Sequence, residues 1–255
     1  MAAPEFVRFG THKVKEYHWT EEPNFGDALA PYLLKAFAGI DTEWDTISHA
    51  SVVSIGSVLE HVPPLWDGYV LGSGKLYADS RLHLHTHTAT ILALRGPLTA
   101  RQSPPGHYAI GDPGLLAAEL VGPQEACYDL GIVPHWTDLF LTLRDEFYSP
   151  RWSTQVISPS DDPIEVVRQI GQCRKIVTSS LHGMIVADSF GIPRRFEFSP
   201  TMASSGLFKF DDYSMSISTP LRPGKLVSGH RMHIEDRKFE LLDAYDELGS
   251  LVRRR

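Results

Sequence analysis

Cysteine is almost missing from this chain: Cys127 and Cys173 are the only two among 255 residues. A disulfide framework is thereby excluded beyond a single bridge, and a chain of this length can bury a core without one. Both cysteines are expected to be reduced packing residues of a cytosolic protein. Long hydrophobic runs are lacking too. No stretch approaches 18 apolar residues, so no membrane-spanning helix is expected. The opening residues, Met1 to Phe6, have no basic region followed by an apolar core, so no secretory leader is expected. Positive charge is in the minority, with 24 Lys+Arg against 31 Asp+Glu and a net charge of −7. That balance argues against nucleic acid as a partner, and any anionic ligand must be held by local positive charge. There is no low-complexity segment and no short repeat.

What is present is ordinary for a globular protein, with 42% hydrophobic and 22% charged residues. Twelve histidines stand out, because they offer more proton-transfer chemistry than a scaffold needs. The 20 glycines and 18 prolines imply many short turns.

The chain reads as strand, turn, helix, repeated. Strands are expected at Lys13–Trp19, Ser51–Ile55, Tyr69–Leu71, Thr90–Leu94 and His107–Ile110. A helix from Ala28 to about Ala38 ends at Gly39, and a short one follows Arg95-Gly96-Pro97. The series restarts near Val121-Gly122-Pro123, with strands at Leu130–Val133, Gln155–Ile157, Lys175–Thr178 and Arg195–Phe198. Helices are expected over Asp138–Phe147, Asp161–Cys173, from the Ser179–Gly183 loop to Phe190, and from about Ile234 to Leu251. Apolar strands that end in small-residue turns mark parallel sheets with functional loops at the strands' carboxyl ends. The expected fold is α/β, with two Rossmann-like halves, 1–121 and 122–255, facing a cleft.

Ser179-Ser180-Leu181-His182-Gly183 carries the strongest chemical signal. It joins a buried strand to a helix, so backbone N–H groups and two hydroxyls can receive an anion beside an imidazole. Gly183 would let a ligand approach closely. The plainer reading is a capped helix start with an incidental histidine. Arg95 ends a buried strand, where its planar fork suits a carboxylate or phosphate, or an internal ion pair. Asp112, in Gly111-Asp112-Pro113-Gly114, either binds a sugar hydroxyl or makes a turn. Asn24 and Asp27, in Asn24-Phe25-Gly26-Asp27, suit a helix cap or a site carboxylate. Lys209-Phe210-Asp211-Asp212-Tyr213 suits a sugar phosphate or a solvated helix start. His83, His85 and His87 alternate as on one strand face, but no nearby Cys, Asp or Glu completes a metal site, so no metal is assigned. Arg253-Arg254-Arg255 is expected to be a solvated tail, with weak attraction to anionic lipid as the alternative.

In order, Asn24-Phe25-Gly26-Asp27, Gly56-Ser57-Val58-Leu59, Gly72-Ser73-Gly74, Arg95-Gly96-Pro97-Leu98-Thr99, Gly111-Asp112-Pro113-Gly114, Val133-Pro134-His135, Ser179-Ser180-Leu181-His182-Gly183, Gly191-Ile192-Pro193 and Lys209-Phe210-Asp211-Asp212-Tyr213 resemble the polysaccharide pyruvyltransferase family, in its short bacterial exopolysaccharide type. The likeness covers about residues 13–215. It implies a GT-B-like pair of Rossmann domains, phosphoenolpyruvate as donor and a sugar of an oligosaccharide or polysaccharide repeat unit, commonly lipid-linked, as acceptor. The Leu-His dipeptide and the Arg-Gly-Pro arginine of the family lie at the donor site, which carries over to Leu181, His182 and Arg95. Where some members have arginine before Leu-His, this chain has Ser180, so helix-terminus amides with Ser179, Ser180, Gly183 or Lys209 would take over that charge.

His182 is then expected as the general acid/base and Arg95 as the main donor-binding cation. Asn24, Asp27, Asp112, His135, Asp212 and Tyr213 are expected on the acceptor side. No cofactor is expected beyond phosphoenolpyruvate as substrate, and the location is expected to be cytoplasmic, with peripheral contact at the inner membrane face left open, as is the oligomeric state. Two alternatives stand beside this one: a nucleotide-sugar glycosyltransferase, and a non-catalytic carbohydrate-binding subunit of polysaccharide assembly.

Overall fold

The computed structural model describes residues 13–84, 88–198 and 206–254. Six short strands make an all-parallel sheet: β1 (Val14–Tyr17), β2 (Thr42–Trp44), β3 (Val52–Val53), β4 (Tyr69–Leu71), β5 (Thr90–Leu94) and β6 (Ala109–Ile110), in the order β2-β1-β3-β4-β5-β6. Five more make a second, mixed sheet: β7 (Leu130–Val133), β8 (Thr154–Val156), β9 (Ile176–Thr178), β10 (Arg194–Phe196) and β11 (Leu226–Val227), ordered β11-β10-β9-β7-β8 with only the β10–β11 pair antiparallel. The arrangement is α/β and Rossmann-like in both halves. β4 and β7 are buried at every residue, as expected for parallel strands covered on both faces.

The helices follow local chemistry. The helical stretch that includes α1 (Ala30–Leu33) runs on to Ala38 and stops at Gly39, whose φ of 68° only glycine adopts cheaply. α2 (Pro97–Ala100) and α3 (Ala117–Val121) are short. α4 (Pro163–Gly171) has Pro163 in its first turn, and Asp162 caps it by accepting from the N–H groups of Ile164 and Glu165, each at 3.0 Å. α5 (Leu181–Ser189) is buried at all of its residues, which fits a helix that is apolar around most of its circumference. α6 (Phe208–Ser216) buries Phe210, Asp212 and Tyr213.

The last helix, α7 (Arg231–Arg253), packs not on the second sheet but on the first, against β6, β5 and the turn ending at Ala38. Chain order had assigned it to the second half; packing assigns it to the first. Its Ile234, Leu241, Tyr245 and Leu248 share one core with α1 and α5, so a single apolar cluster runs between the sheets. Arg253 is no loose tail residue, because its Nη1 donates to the Ala38 carbonyl at 3.3 Å and so closes a helix end. Arg255 lies outside the described residues.

Three other expectations are corrected. Asp138–Phe147 is not one helix but two 3-10 segments, Leu139–Leu143 and Asp145–Phe147, broken at an extended Arg144. Arg144 is drawn to Glu197 at 2.7 Å while Phe147 fills a small core with Ile132 and Val177, and these tertiary contacts override helix propensity. Cys127 is exposed rather than packed; Cys173 is buried as expected, and both are free thiols. No strand forms over the described residues around His83, and His85 and His87 lie outside them.

Candidate active site

Each sheet reverses its winding once. In the first, the chain runs from β1 out to β2 and returns to β3 on the other side of β1; in the second, it runs from β7 to β8 and returns to β9. Loops leaving the carboxyl ends of such neighbours part in opposite directions and open a crevice. The loops after β1 and β3 bring Asn24, Asp27 and Ser57; those after β7 and β9 bring His135, Ser180 and His182. All six line one cleft of about 830 Å³. Winding order therefore puts the functional loops of two sheets face to face.

Ser180 caps α5, its Oγ accepting from the Gly183 N–H at 3.3 Å, and His182 is the helix's second residue. Its ring is 4% exposed and packs edge-on to Phe25 across 6.4 Å. Buried Nε2 has no hydrogen-bond partner. Burial first, then the charges of Lys209 and Arg95, push its pKa down to about 3, so the imidazole is neutral at pH 7. Gly183 does not face the cleft. A Cβ there would lie 2.4 Å from Thr178 Oγ1, so the glycine permits close packing of helix on strand rather than approach of a ligand.

Lys209, near the start of α6, reaches the same cleft and forms no ion pair among the described residues. Burial, with Arg95 adding repulsion, lowers it to about 8. Asp27 is not the helix cap. Its carboxylate accepts from Asn24 Nδ2 at 2.6 Å, and burial raises it to about 6 against the pull of Lys209. His135 is held near 4, chiefly by burial, and its backbone N–H donates to Ser179 Oγ at 2.9 Å. Ser179 is thus a fully buried tie between the β7 and β9 loops. His182, Lys209, Asp27, Asn24, His135, Ser180 and Leu181 are brought together; Ser179 supports them from below.

Four expected site residues sit elsewhere. Arg95 is fully buried and heavily engaged: Nε and Nη2 meet Asp212 Oδ2, each at 3.1 Å, Nη1 donates to Ser57 Oγ at 2.6 Å, and Nη2 also donates to the Lys75 carbonyl. It acts on the cleft through its field and through Ser57, not by contact. Asp212, expected on the acceptor side, is its counter-ion and also accepts from Leu98 N, Thr99 N and Thr99 Oγ1. Tyr213 is buried and donates to Asp188, which is paired with Arg194. Asp112 caps the 3-10 turn Pro113–Leu116 and is buried with Oδ2 unpartnered; burial raises it to about 7. All four are buried and none lines the cleft.

The cleft also has residues that the sequence motifs did not single out: Trp19, Glu60, His61, Tyr77, Arg81 and Trp136. Trp19 lies two residues after β1 and Trp136 three after β7, which was the available signal; nothing local marks the others. Among the described residues no group of three potential metal ligands gathers, and no helix is long and apolar enough to cross a membrane.

A family model described as polysaccharide pyruvyl transferase matches residues 108–195, the stretch that holds Asp112, His135 and the Ser179–Gly183 loop. The chain is 29% identical over 223 residues to the succinoglycan biosynthesis protein ExoV of Rhizobium meliloti (strain 1021), covering 84% of this chain and 68% of that protein. It is 31% identical over 156 residues to the uncharacterized protein L143 of Acanthamoeba polyphaga mimivirus, covering 58% and 52%. With two Rossmann-like sheets opening their crevices onto one basic-floored cleft, the molecule has the form of an α/β ligand-binding protein. Over residues 108–195 it is similar to the polysaccharide pyruvyl transferase family.

Proposed function

We propose that this protein transfers a pyruvyl group from phosphoenolpyruvate to two hydroxyls of one sugar in a polysaccharide or oligosaccharide, making a pyruvate ketal and releasing phosphate. The observation that carries the reading is the meeting in one cleft of His182, with its unpartnered buried Nε2, and Lys209, which forms no ion pair among the described residues. A small, highly charged anion fits there, held by Lys209, the first amides of α5 and the field of Arg95. Lys209 takes the part of the arginine that this chain lacks before Leu181. On this reading the two sheets work as a GT-B-like pair, with donor and acceptor meeting between them.

Protonation of the donor's methylene carbon makes the neighbouring carbon electrophilic, and one sugar hydroxyl attacks it. The C–O bond to phosphate breaks, and a second hydroxyl closes the ketal. Of the two hydroxyl protons lost, one ends in net on the new methyl group and one leaves with phosphate. His182 is the group placed to move them. Burial, Lys209 and Arg95 together hold it neutral, and a bound anion offsets the two cations and raises its affinity for a proton. The donor thus arms its own acid. Asp27 stands opposite as the partner for an acceptor hydroxyl. Phosphoenolpyruvate is a cytosolic metabolite, so the reaction is assigned to the cytoplasm, with a lipid-linked acceptor met at the inner membrane face.

Phosphate release from phosphoenolpyruvate, measured with a panel of galactosides, glucosides and mannosides, tests the reading. His182→Ala is expected to abolish release. Retained transfer in that variant, or binding of a UDP- or GDP-sugar with no release from phosphoenolpyruvate, would overturn it.

A further inference from the structure

The donor is a three-carbon acid with one phosphate, whereas the cleft measures about 830 Å³, the size that ordinarily accepts a much larger ligand. Most of the space is unclaimed by the donor reading. The walls of that remainder are aromatic and come from both halves. On one side Trp19, after β1, lies 5.7 Å ring to ring from His61, after β3. On the other, His135 lies 5.5 Å from Trp136, both after β7.

Trp136 is 39% exposed and Tyr77 40%, against 4% for His182, so these rings stand at the open end of the cleft and the imidazole at its closed end. Trp136 and Tyr77 thus offer flat apolar faces to whatever enters the cleft. Glu60 adds a second, independent feature. Its Oε1 accepts from the N–H groups of Leu76 and Tyr77, while Oε2 is buried without a partner.

Flat rings and an unsatisfied carboxylate oxygen match a particular chemistry. A pyranose offers apolar C–H faces to stack on indole and equatorial hydroxyls to donate to a carboxylate. An extended peptide would instead seek unpaired strand edges, and a nucleic acid would seek a row of cations.

Resting on the pyruvyl-transfer reading, we propose that the open end of the cleft is an acceptor subsite for a glycan segment of at least two sugar units, gripped between the Trp19–His61 pair and the His135–Trp136 pair, with Glu60 accepting from a hydroxyl. The chain would then select oligosaccharide over monosaccharide by binding the sugars next to the one it modifies.

Tryptophan fluorescence and calorimetry of the intact protein, titrated without donor with gluco- and galacto-configured mono-, di- and tetrasaccharides, test this. Affinity is expected to rise by about tenfold or more from mono- to tetrasaccharide. Trp136→Ala is expected to weaken tetrasaccharide binding by about tenfold while phosphoenolpyruvate binding changes by less than about twofold, and Trp136→Phe to recover most of the loss. Glu60→Gln, which keeps the carbonyl that holds Leu76 and Tyr77, is expected to weaken sugar binding as well. No sugar binding, equal affinity for mono- and tetrasaccharides, or variants that lose donor and sugar binding together would overturn the subsite. Oligosaccharide binding without phosphate release from phosphoenolpyruvate would leave the subsite standing and overturn the transfer reading instead.

Discussion

Gly26 of the first half lies flat against the His182 imidazole of the second: a Cβ on Gly26 would fall 1.9 Å from Nδ1. The ring is therefore positioned by the absence of a side chain across the cleft. Gly26→Ala is expected to displace His182 and cut pyruvyl transfer by about 100-fold or more, with a stability loss of about 1–3 kcal/mol from overpacking. Phosphate-release rates and urea midpoints on the same preparations check this. Unchanged turnover would mean that the ring's placement does not matter to the chemistry.

Arg95 and Asp212 form a fully buried ion pair that joins the end of β5 to α6, 117 positions later in the chain. Removing one partner strands a charge in the interior, so Asp212→Ala is expected to cost about 3–5 kcal/mol. The Arg95→Ala/Asp212→Ala double variant is expected to be less destabilised than the two losses added. A denaturant double-mutant cycle measures the coupling, and additive losses would rule it out.

The pH dependence of kcat/KM is expected to be bell-shaped. Asp27, raised to about 6, must be ionised to meet an acceptor hydroxyl, so activity climbs as pH rises through that value. Lys209, lowered to about 8, must be protonated to hold the donor, so activity falls above it. Asp27→Asn should remove the acid limb, and Lys209→Met should flatten the basic limb while raising the donor KM. A wild-type profile without a fall near pH 8 would remove Lys209 from the donor site.

Asp112 links pH to stability. Its folded pKa of about 7 lies above the ordinary 3.8, so the native state holds the proton more tightly than the unfolded chain does. Its contribution is thus most favourable below about 4 and declines as pH rises to about 7. His182 and His135 slope the other way, because their folded values lie below 6.5. Asp112→Asn keeps the oxygen that caps Gly114 and deletes only the carboxyl's titration. Relative to wild type it should gain up to about 4 kcal/mol between pH 4 and 8, at about 1.4 kcal/mol per unit. Guanidine midpoints at the two pH values read the difference directly.

A proton uptake should accompany donor binding, because phosphoenolpyruvate offsets the two cations that reinforce burial in keeping His182 neutral. Calorimetric titrations at pH 7 in buffers of different ionisation enthalpy should give an apparent enthalpy that varies with the buffer, and His182→Gln should abolish the dependence.

Much of this molecule was legible in one dimension. β4, β5 and β7 stand where their apolar runs were read, because parallel strands buried on both faces need no partner's identity to declare themselves. Gly39 marked a helix end by chemistry local to the backbone, whereas the helix read from Asp161 starts at Pro163, behind its Asp162 cap. The edge strands β2 and β11 were not read, since Thr42–Trp44 and Leu226–Val227 are short and half exposed and acquire strand form only from a neighbour. Arg95 was read as a ligand contact or as one half of an internal ion pair, and Asp212 as an acceptor-side residue; only the fold brings the two together and spends each on the other.

The sequence by itself determined the α/β class, the loops at strand ends and the histidine at the start of α5, because periodicity, capping and small-residue turns act over a few residues. Tertiary structure decided which polar groups face the cleft and which are buried beneath it. That distinction depends on winding order and burial, and both are properties of contacts between residues far apart in the chain. The shortage of positive charge noted at the outset is resolved in the same way: few cations are needed when the fold places Lys209 in the cleft, with no ion-pair partner among the described residues, and sets Arg95 beneath it.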